Sequence, residues 1–244
     1  MPIITLFNGS YCNEKQVIEE ICSRTGYRLV ADEEIVAEAG RRSQIPGEKI
    51  ERVFSNKTSV FNRLTRERER SLAHLRAVLA EKLADDNLIF SGFAGQLIPG
   101  NISHVLRVCL IADMEYRINA ACEDRGVEKP EALKIIHRKD EKSAEWMYLL
   151  HDSIDPWNTD LYDISFPADK TSAADIAGTV TENIAKPVVQ ATDASKAAVN
   201  DFNLATEVEI ALVEKGHTVD VDVHDGSVFL TINKPVLRLK RLEE

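Results

Sequence analysis

Cysteine is sparse in this chain and badly spaced for a metal. Cys12, Cys22, Cys109 and Cys122 never form the close pairs used by zinc sites, and Cys22 and Cys109 lie among apolar residues. Reduced, buried thiols are expected. Base is also in deficit: 30 Lys and Arg against 40 Asp and Glu give a formal net charge of −10. Such a field repels nucleic acid and anionic membrane surfaces. The one dense basic stretch, with Arg63, Arg66, Arg68 and Arg70, is interrupted by Glu67 and Glu69, the pattern of a solvated helix face. No internal repeat or low-complexity tract occurs. The opening MPIITLF passes at once into polar NGSYCNEKQ, so neither a secretion leader nor a membrane-spanning run is expected, and a cytoplasmic location is.

What is present suits a folded protein. Hydrophobic residues make up 44% and charged residues 29% of 244 positions, enough for one large domain or a medium domain with a small companion. Ile3 to Phe7 is a short apolar run, followed by a polar loop and by Val17, Ile18, Ile21 and Cys22 at helical spacing. Gly26 is placed to cap that helix. Tyr27 to Val30 predicts a second strand and Glu33 to Ala39 a second helix. Leu72, Leu75, Val78, Leu79 and Leu83 form an apolar stripe of helical period. Leu88 to Phe90 and Val105 to Ile111 read as buried strands, with helical character from Met114 to Glu123 between later elements. Strands alternating with helices at this spacing predict an α/β fold, a parallel sheet covered on both faces.

Further along, Glu128 to His151 predicts a mobile helical pair. Leu161 to Phe166 predicts the last strand, and a closing helix follows with Thr171 or Ser172 as its N-cap. The first domain is expected to span 1–186 and a linker 187–195. From 196 to 244 the pattern changes to a helix with Val199, Phe202, Val208 and Leu212, ended by Gly216, and then to two alternating strands joined at His224-Asp225-Gly226-Ser227.

Gly9-Ser10-Tyr11-Cys12-Asn13-Glu14-Lys15-Gln16 falls between the first strand and the first helix, where a phosphate-binding loop of pattern G-x-x-x-x-G-K-[ST] belongs. Gly9 begins that loop, Lys15 occupies the phosphate lysine's position, and the helix start contributes amide donors and a positive dipole end. Glu14 replaces the second glycine and Gln16 replaces the hydroxyl that holds Mg²⁺. A like-charge pair at about 4 Å costs on the order of 1 kcal/mol in water and about 4 kcal/mol at intermediate dielectric. Both replacements oppose MgATP. The loop taken alone reads equally well as an ordinary strand-to-helix turn carrying a surface lysine.

Taken together with VIEEICSRTGY, VADEEIVAEAG, LIFSGFAGQLI, HVLRVCLIADMEYRI, EDRGVEKPEALKIIHRKDEKSAEWMYLLH and DLYDISFPADKTSAADI, the run from residue 3 to 186 resembles the cytidylate kinase-like family. The resemblance implies a P-loop kinase-type sheet and transfer of a phosphoryl group from ATP, with Mg²⁺, to a nucleoside monophosphate. It also implies roles. Lys15, Arg117 and Arg138 would be catalytic, while Gly9, Ser10, Asn13, Lys15, Gln16, Asp32 and Arg125 would bind nucleotide, Asp32 on the acceptor side. Arg117, Arg125 and Arg138 read equally as ion-pair partners of Glu115, Asp124 and Asp140. No metal-ligand residue is assigned.

The family's pattern is broken at several points. Gly92-Phe93 stands for a glycine-arginine pair, Ser143 for an arginine and Pro167 for an asparagine. Phosphoryl transfer depends on positioning and on cations around the developing charge, so these losses imply weak or lost transfer and a sensing or regulatory role. Two other readings stay open: an active nucleoside monophosphate kinase with an unusual metal arrangement, and an interaction protein that uses no nucleotide. FNLATEVEIALVEKG with HTVDVDVHDGSVFLTI resembles the first part of a BON domain, incomplete here, which implies a protein partner or self-association. Asp220, Asp222 and Asp225 argue against an anionic membrane.

Overall fold

The computed structural model describes residues 2–55 and 66–232. Arg63 and the stretch expected beyond Ile232 lie outside them.

Five strands, β1 (Ile3–Asn8), β2 (Arg28–Ala31), β3 (Leu88–Ser91), β4 (Val105–Ile111) and β5 (Ile164–Pro167), form one sheet of order β2-β3-β1-β4-β5. Every pairing in it is parallel. β1 is central and apolar on both faces, as a strand covered from two sides must be. Ile3 and Phe7 join a core shared with α2 (Asp32–Ser43), α4 (Glu67–Lys82) and α6 (Lys129–His151). Ile4 and Leu6 join the opposite core with α1 (Glu14–Thr25) and α7 (Ala173–Ile184). The α/β fold class expected from the pattern is the one observed. α3 (Gly47–Glu51) and α5 (Met114–Arg125) complete the helices of this part.

Local signals hold at their expected places. Gly26 adopts φ 72° and its amide donates to the Cys22 carbonyl, and Ser172 Oγ accepts from the Asp175 amide as the N-cap of α7. Two expectations need correction. The segment after Glu128 is one continuous 23-residue helix, not a pair. Its interior contains no breaker, and Ala132, Ile136, Ser143, Trp146 and Met147 bury one stripe along its length, so nothing favours a turn there. β5 is shorter than expected because Thr159–Leu161 turns as a 3₁₀ helix, and only from Ile164 does the chain pair with β4.

A 3₁₀ turn at Pro187–Val189 leads to α8 (Asp193–Glu214). Thr192 and Ser195 cap α8 reciprocally, each side chain accepting from the other's amide. Val199 and Phe202 of α8 enter the same core as Leu75 and Leu79 of α4. Glu209 pairs with Arg76 at 3.1 Å, and Asn203 Nδ2 donates to the Ala80 carbonyl. Beyond it, β6 (Asp220–His224) and β7 (Ser227–Thr231) pair antiparallel. Asp225 and Gly226 both take positive φ, 50° and 73°, which a two-residue hairpin turn of the matching twist requires. Asp201 on α8 accepts both of their amides.

Candidate functional site

The carboxyl ends of β1 and β3 lie side by side where connections depart in opposite directions, the position at which open α/β sheets bind ligands. The loop after β1 turns tightly and enters α1 at Glu14. Gly9 is required by close approach, since a Cβ there would lie 3.0 Å from Cys12 Sγ and 3.5 Å from Arg117 Cζ. Tyr11 and Asn13 hold left-handed conformations, φ 64° and 60°, without being glycine, an uncommon arrangement that the surrounding packing must impose. Asn13 Nδ2 donates to Gln16 Oε1 at 2.9 Å. The first-turn amides of α1 have no intrahelical acceptor, the feature that suits such an end to anions.

Arg117, only 6% exposed, organises this loop. Its Nε donates to the Ser10 carbonyl at 2.8 Å and its Nη2 to Ser10 Oγ at 2.9 Å. The other edge of the guanidinium takes the Asp140 carboxylate bidentately, at 3.0 and 2.5 Å. Arg117 thus joins α5, α6 and the loop, and its charge is already met by a protein carboxylate.

The loop after β3 is built around Asp32. This carboxylate accepts the amides of Phe93 and Ala94, both at 2.8 Å, and so caps the 3₁₀ turn Ala94–Leu97. Burial pushes the Asp32 carboxyl up to about 6, against the downward pull of those two amides. Gly92 has φ 113°, and a Cβ on it would fall 2.3 Å from Asp32 Oδ2.

Between these loops and α6 lies a cavity of about 240 Å³ lined by Phe7, Asn8, Ser10, Glu14, Gly92, Phe93, Lys139, Lys142 and Ser143. Lys139 Nζ lies 4.4 Å above the Tyr11 ring and Lys142 Nζ 4.7 Å above the Phe93 ring. Aromatic faces hold both ammonium groups at the cavity wall without neutralising them.

The expected site residues separate. Gly9, Ser10 and Arg117 form one connected loop assembly, with Asp32 behind the neighbouring turn, and Asn13 is bonded to Gln16 at the start of α1. Lys15 and Gln16 are exposed in the first turn of α1 and do not line this cavity. Arg125 ends α5 in an exposed pair with Asp124 at 3.0 Å and faces the Tyr11 hydroxyl of the loop. Arg138 lines a different cavity of about 320 Å³, beside Glu48, Glu51 and Glu145. Lys139 and Lys142 were not singled out in the sequence. Their three-residue spacing, which puts both on one helix face, is the signal that could have found them.

The residues present fit Mg²⁺ poorly. Glu14 brings a carboxylate to the cavity, and the only oxygen of the Gln16 side chain already accepts from Asn13. Among the described residues no group of three or more His, Cys, Asp or Glu is arranged to hold a metal ion.

Fold and loop together define a P-loop kinase-type protein. Residues 3–170 match the cytidylate kinase-like family, well over half of the chain, and the protein belongs to that family. Among solved structures it resembles an uncharacterized protein from Eubacterium ventriosum, with TM-score 0.57 and 13% identity over 75% of this chain and 98% of that one. Shikimate kinase from Acinetobacter baumannii, in complex with shikimate, aligns at TM-score 0.41 and 14% identity, covering 75% and 93% of the two chains. The Thermus thermophilus protein TT1252 aligns at TM-score 0.41 and 17% identity, covering 75% and 96%. No curated protein matches the sequence. Among the described residues no helix is long and apolar enough to cross a membrane.

Proposed function

We propose that this protein binds a nucleoside phosphate in the cavity between the β1–α1 loop and α6, with weak or no phosphoryl transfer. In this reading it acts as a sensor whose occupancy is passed to a protein partner through α8 and the hairpin. One observation carries the binding: Lys139 and Lys142 line that cavity with their ammonium groups over Tyr11 and Phe93. Both ammonium groups face the space where phosphate oxygens would lie, and Lys142 also lines the neighbouring cavity with Glu48, Glu51 and Glu145. The loss of transfer rests on Glu14 in the cavity, on Gln16 in place of a metal-binding hydroxyl and on the engagement of Arg117 by Asp140. Binding without turnover is what positioned cations lacking a metal clamp would give.

Thermal melting of the full chain with CMP, UMP, dCMP and ATP at millimolar concentration, beside a coupled assay for ADP, tests the reading. The expected result is a raised melting temperature with at least one nucleotide, abolished in Lys139→Ala/Lys142→Ala, and no ADP above background. No shift with any nucleotide would remove the proposal. Turnover that disappears in Lys15→Ala would replace it with an active nucleoside monophosphate kinase.

A further inference from the structure

We infer that Asp140 is a built-in stand-in for a phosphoryl group, and that it restricts the cavity to nucleotides with few phosphates by holding the guanidinium that a longer phosphate chain would need. This rests on the nucleotide-binding reading above.

Three features carry it. A carboxylate and a phosphate present the same pair of oxygens to a guanidinium fork, and Asp140 makes both contacts, at 3.0 Å to Nη1 and 2.5 Å to Nη2 of Arg117. Two further donors of Arg117, on Nε and Nη2, go to the carbonyl and hydroxyl of Ser10, a residue that lines the cavity. The fork therefore stands directly behind the loop at which phosphates would arrive, and it is already filled. Finally, the charges differ in their freedom: Arg117 is buried and paired, whereas Lys139, next in sequence to Asp140, lies at the cavity wall over Tyr11. One phosphate can be met by the two lysines. Glu14 faces any phosphate in this cavity, and a longer phosphate chain reaching for Arg117 would additionally have to displace Asp140 from its half-buried bidentate pair, which opposes it.

Arg117 is buried, and Asp140, 23 residues away in sequence, supplies the carboxylate that a buried guanidinium requires. Here the pair ties α6 to the loop after β1.

Isothermal titration of the full chain with CMP, CDP, CTP and inorganic pyrophosphate, for the wild type and for Asp140→Asn, decides the matter. In the wild type CMP should bind at least about tenfold more tightly than CTP, and pyrophosphate weakly. Asp140→Asn should tighten CTP and pyrophosphate by about tenfold or more while changing CMP little. The gain should vanish in Arg117→Lys/Asp140→Asn, because an ammonium cannot reproduce the fork.

Wild-type binding of CTP equal to or tighter than CMP would overturn the inference, whether or not the variants fold. CMP binding with no gain for either polyphosphate in folded Asp140→Asn would overturn it and leave nucleotide binding standing. A pyrophosphate gain in Asp140→Asn with no nucleotide bound by either protein would support the role of Asp140 and remove the nucleotide reading instead.

Discussion

The indole N–H of Trp146 donates to the carbonyl of Phe93 across 3.0 Å, joining α6 to the turn after β3. Trp146 is 1% exposed and packs edge-on against Phe54, with ring centroids 5.1 Å apart. Phe54 in turn stacks on Phe93 at 5.6 Å. Phe93, which lines the cavity, is thus backed by an aromatic block clamped by one hydrogen bond.

Replacing Trp146 should separate those two contributions. Trp146→Ala is expected to cost about 3–5 kcal/mol, the range for emptying a large aromatic site. Trp146→Phe retains most of the packing but leaves the Phe93 carbonyl without its donor, at a cost of about 1–3 kcal/mol. Urea denaturation followed by far-UV circular dichroism would measure both. Equal losses would mean that the hydrogen bond, not the ring volume, holds α6 down.

Gly92 and Asp32 should be strongly coupled. An alanine at 92 would be forced into φ 113° with its Cβ 2.3 Å from Asp32 Oδ2, so Gly92→Ala should lose about 3 kcal/mol or more. In an Asp32→Ala background the collision is absent and the same change should cost less. A double-mutant cycle in thermal or chemical denaturation reads the difference. Additive losses would show that the turn moves away from Asp32 at no cost.

Asp32 also predicts a pH dependence of definite sign. Its carboxyl is raised by burial from an ordinary 3.8 to about 6, so the folded protein holds this proton more tightly than the unfolded chain does. The resulting stabilisation is complete below about pH 4 and is lost as the pH rises to about 6, a change on the order of 2–3 kcal/mol. Other carboxylates contribute slopes of their own, so the comparison is with Asp32→Asn, whose stability should lack this component. Matching pH profiles for the two proteins between pH 4 and 7 would contradict the prediction.

The C-terminal segment is held by contacts that can be cut singly. Phe202 is 4% exposed, with the Arg76 guanidinium 5.1 Å above its ring, and Phe202→Ala should cost about 3 kcal/mol or more. Asp201→Ala should leave the core intact but release the Asp225 and Gly226 amides. Hydrogen exchange at those two positions should then quicken by about tenfold or more. Unchanged exchange there would mean that the hairpin turn is protected without α8.

Much of this architecture was legible from residue pattern. Val105 to Ile111 is the observed β4 to the residue, Gly26 and Ser172 cap the helices expected of them, and His224-Asp225-Gly226-Ser227 makes the turn its composition demands. Each of these signals acts within a few residues. The apolar period, the left-handed glycine, the side chain that reaches the next amide and the paired positive φ values are all local energies. The continuity of α6 is the exception: the pattern predicts a helical pair, and the buried stripe of helical period makes it one helix.

The site was far less legible. Glu14 and Gln16 could be seen to spoil a phosphate loop, but nothing local shows that Tyr11 and Asn13 would take glycine's conformation. Pairing of Arg117 with Asp140 and Ser10 spans 23 and 107 residues, and Asp32 caps a turn 61 residues away. A sequence neighbour such as Asp124 could be named for Arg125 beforehand, but a partner 23 residues away gains no preference until the chain closes that loop. The residue pattern dictated which segments became strands and helices and where each ended. Packing of α5 and α6 over the end of β1 alone decided which cations stay free and which are taken, because desolvation and distance assign a guanidinium its carboxylate.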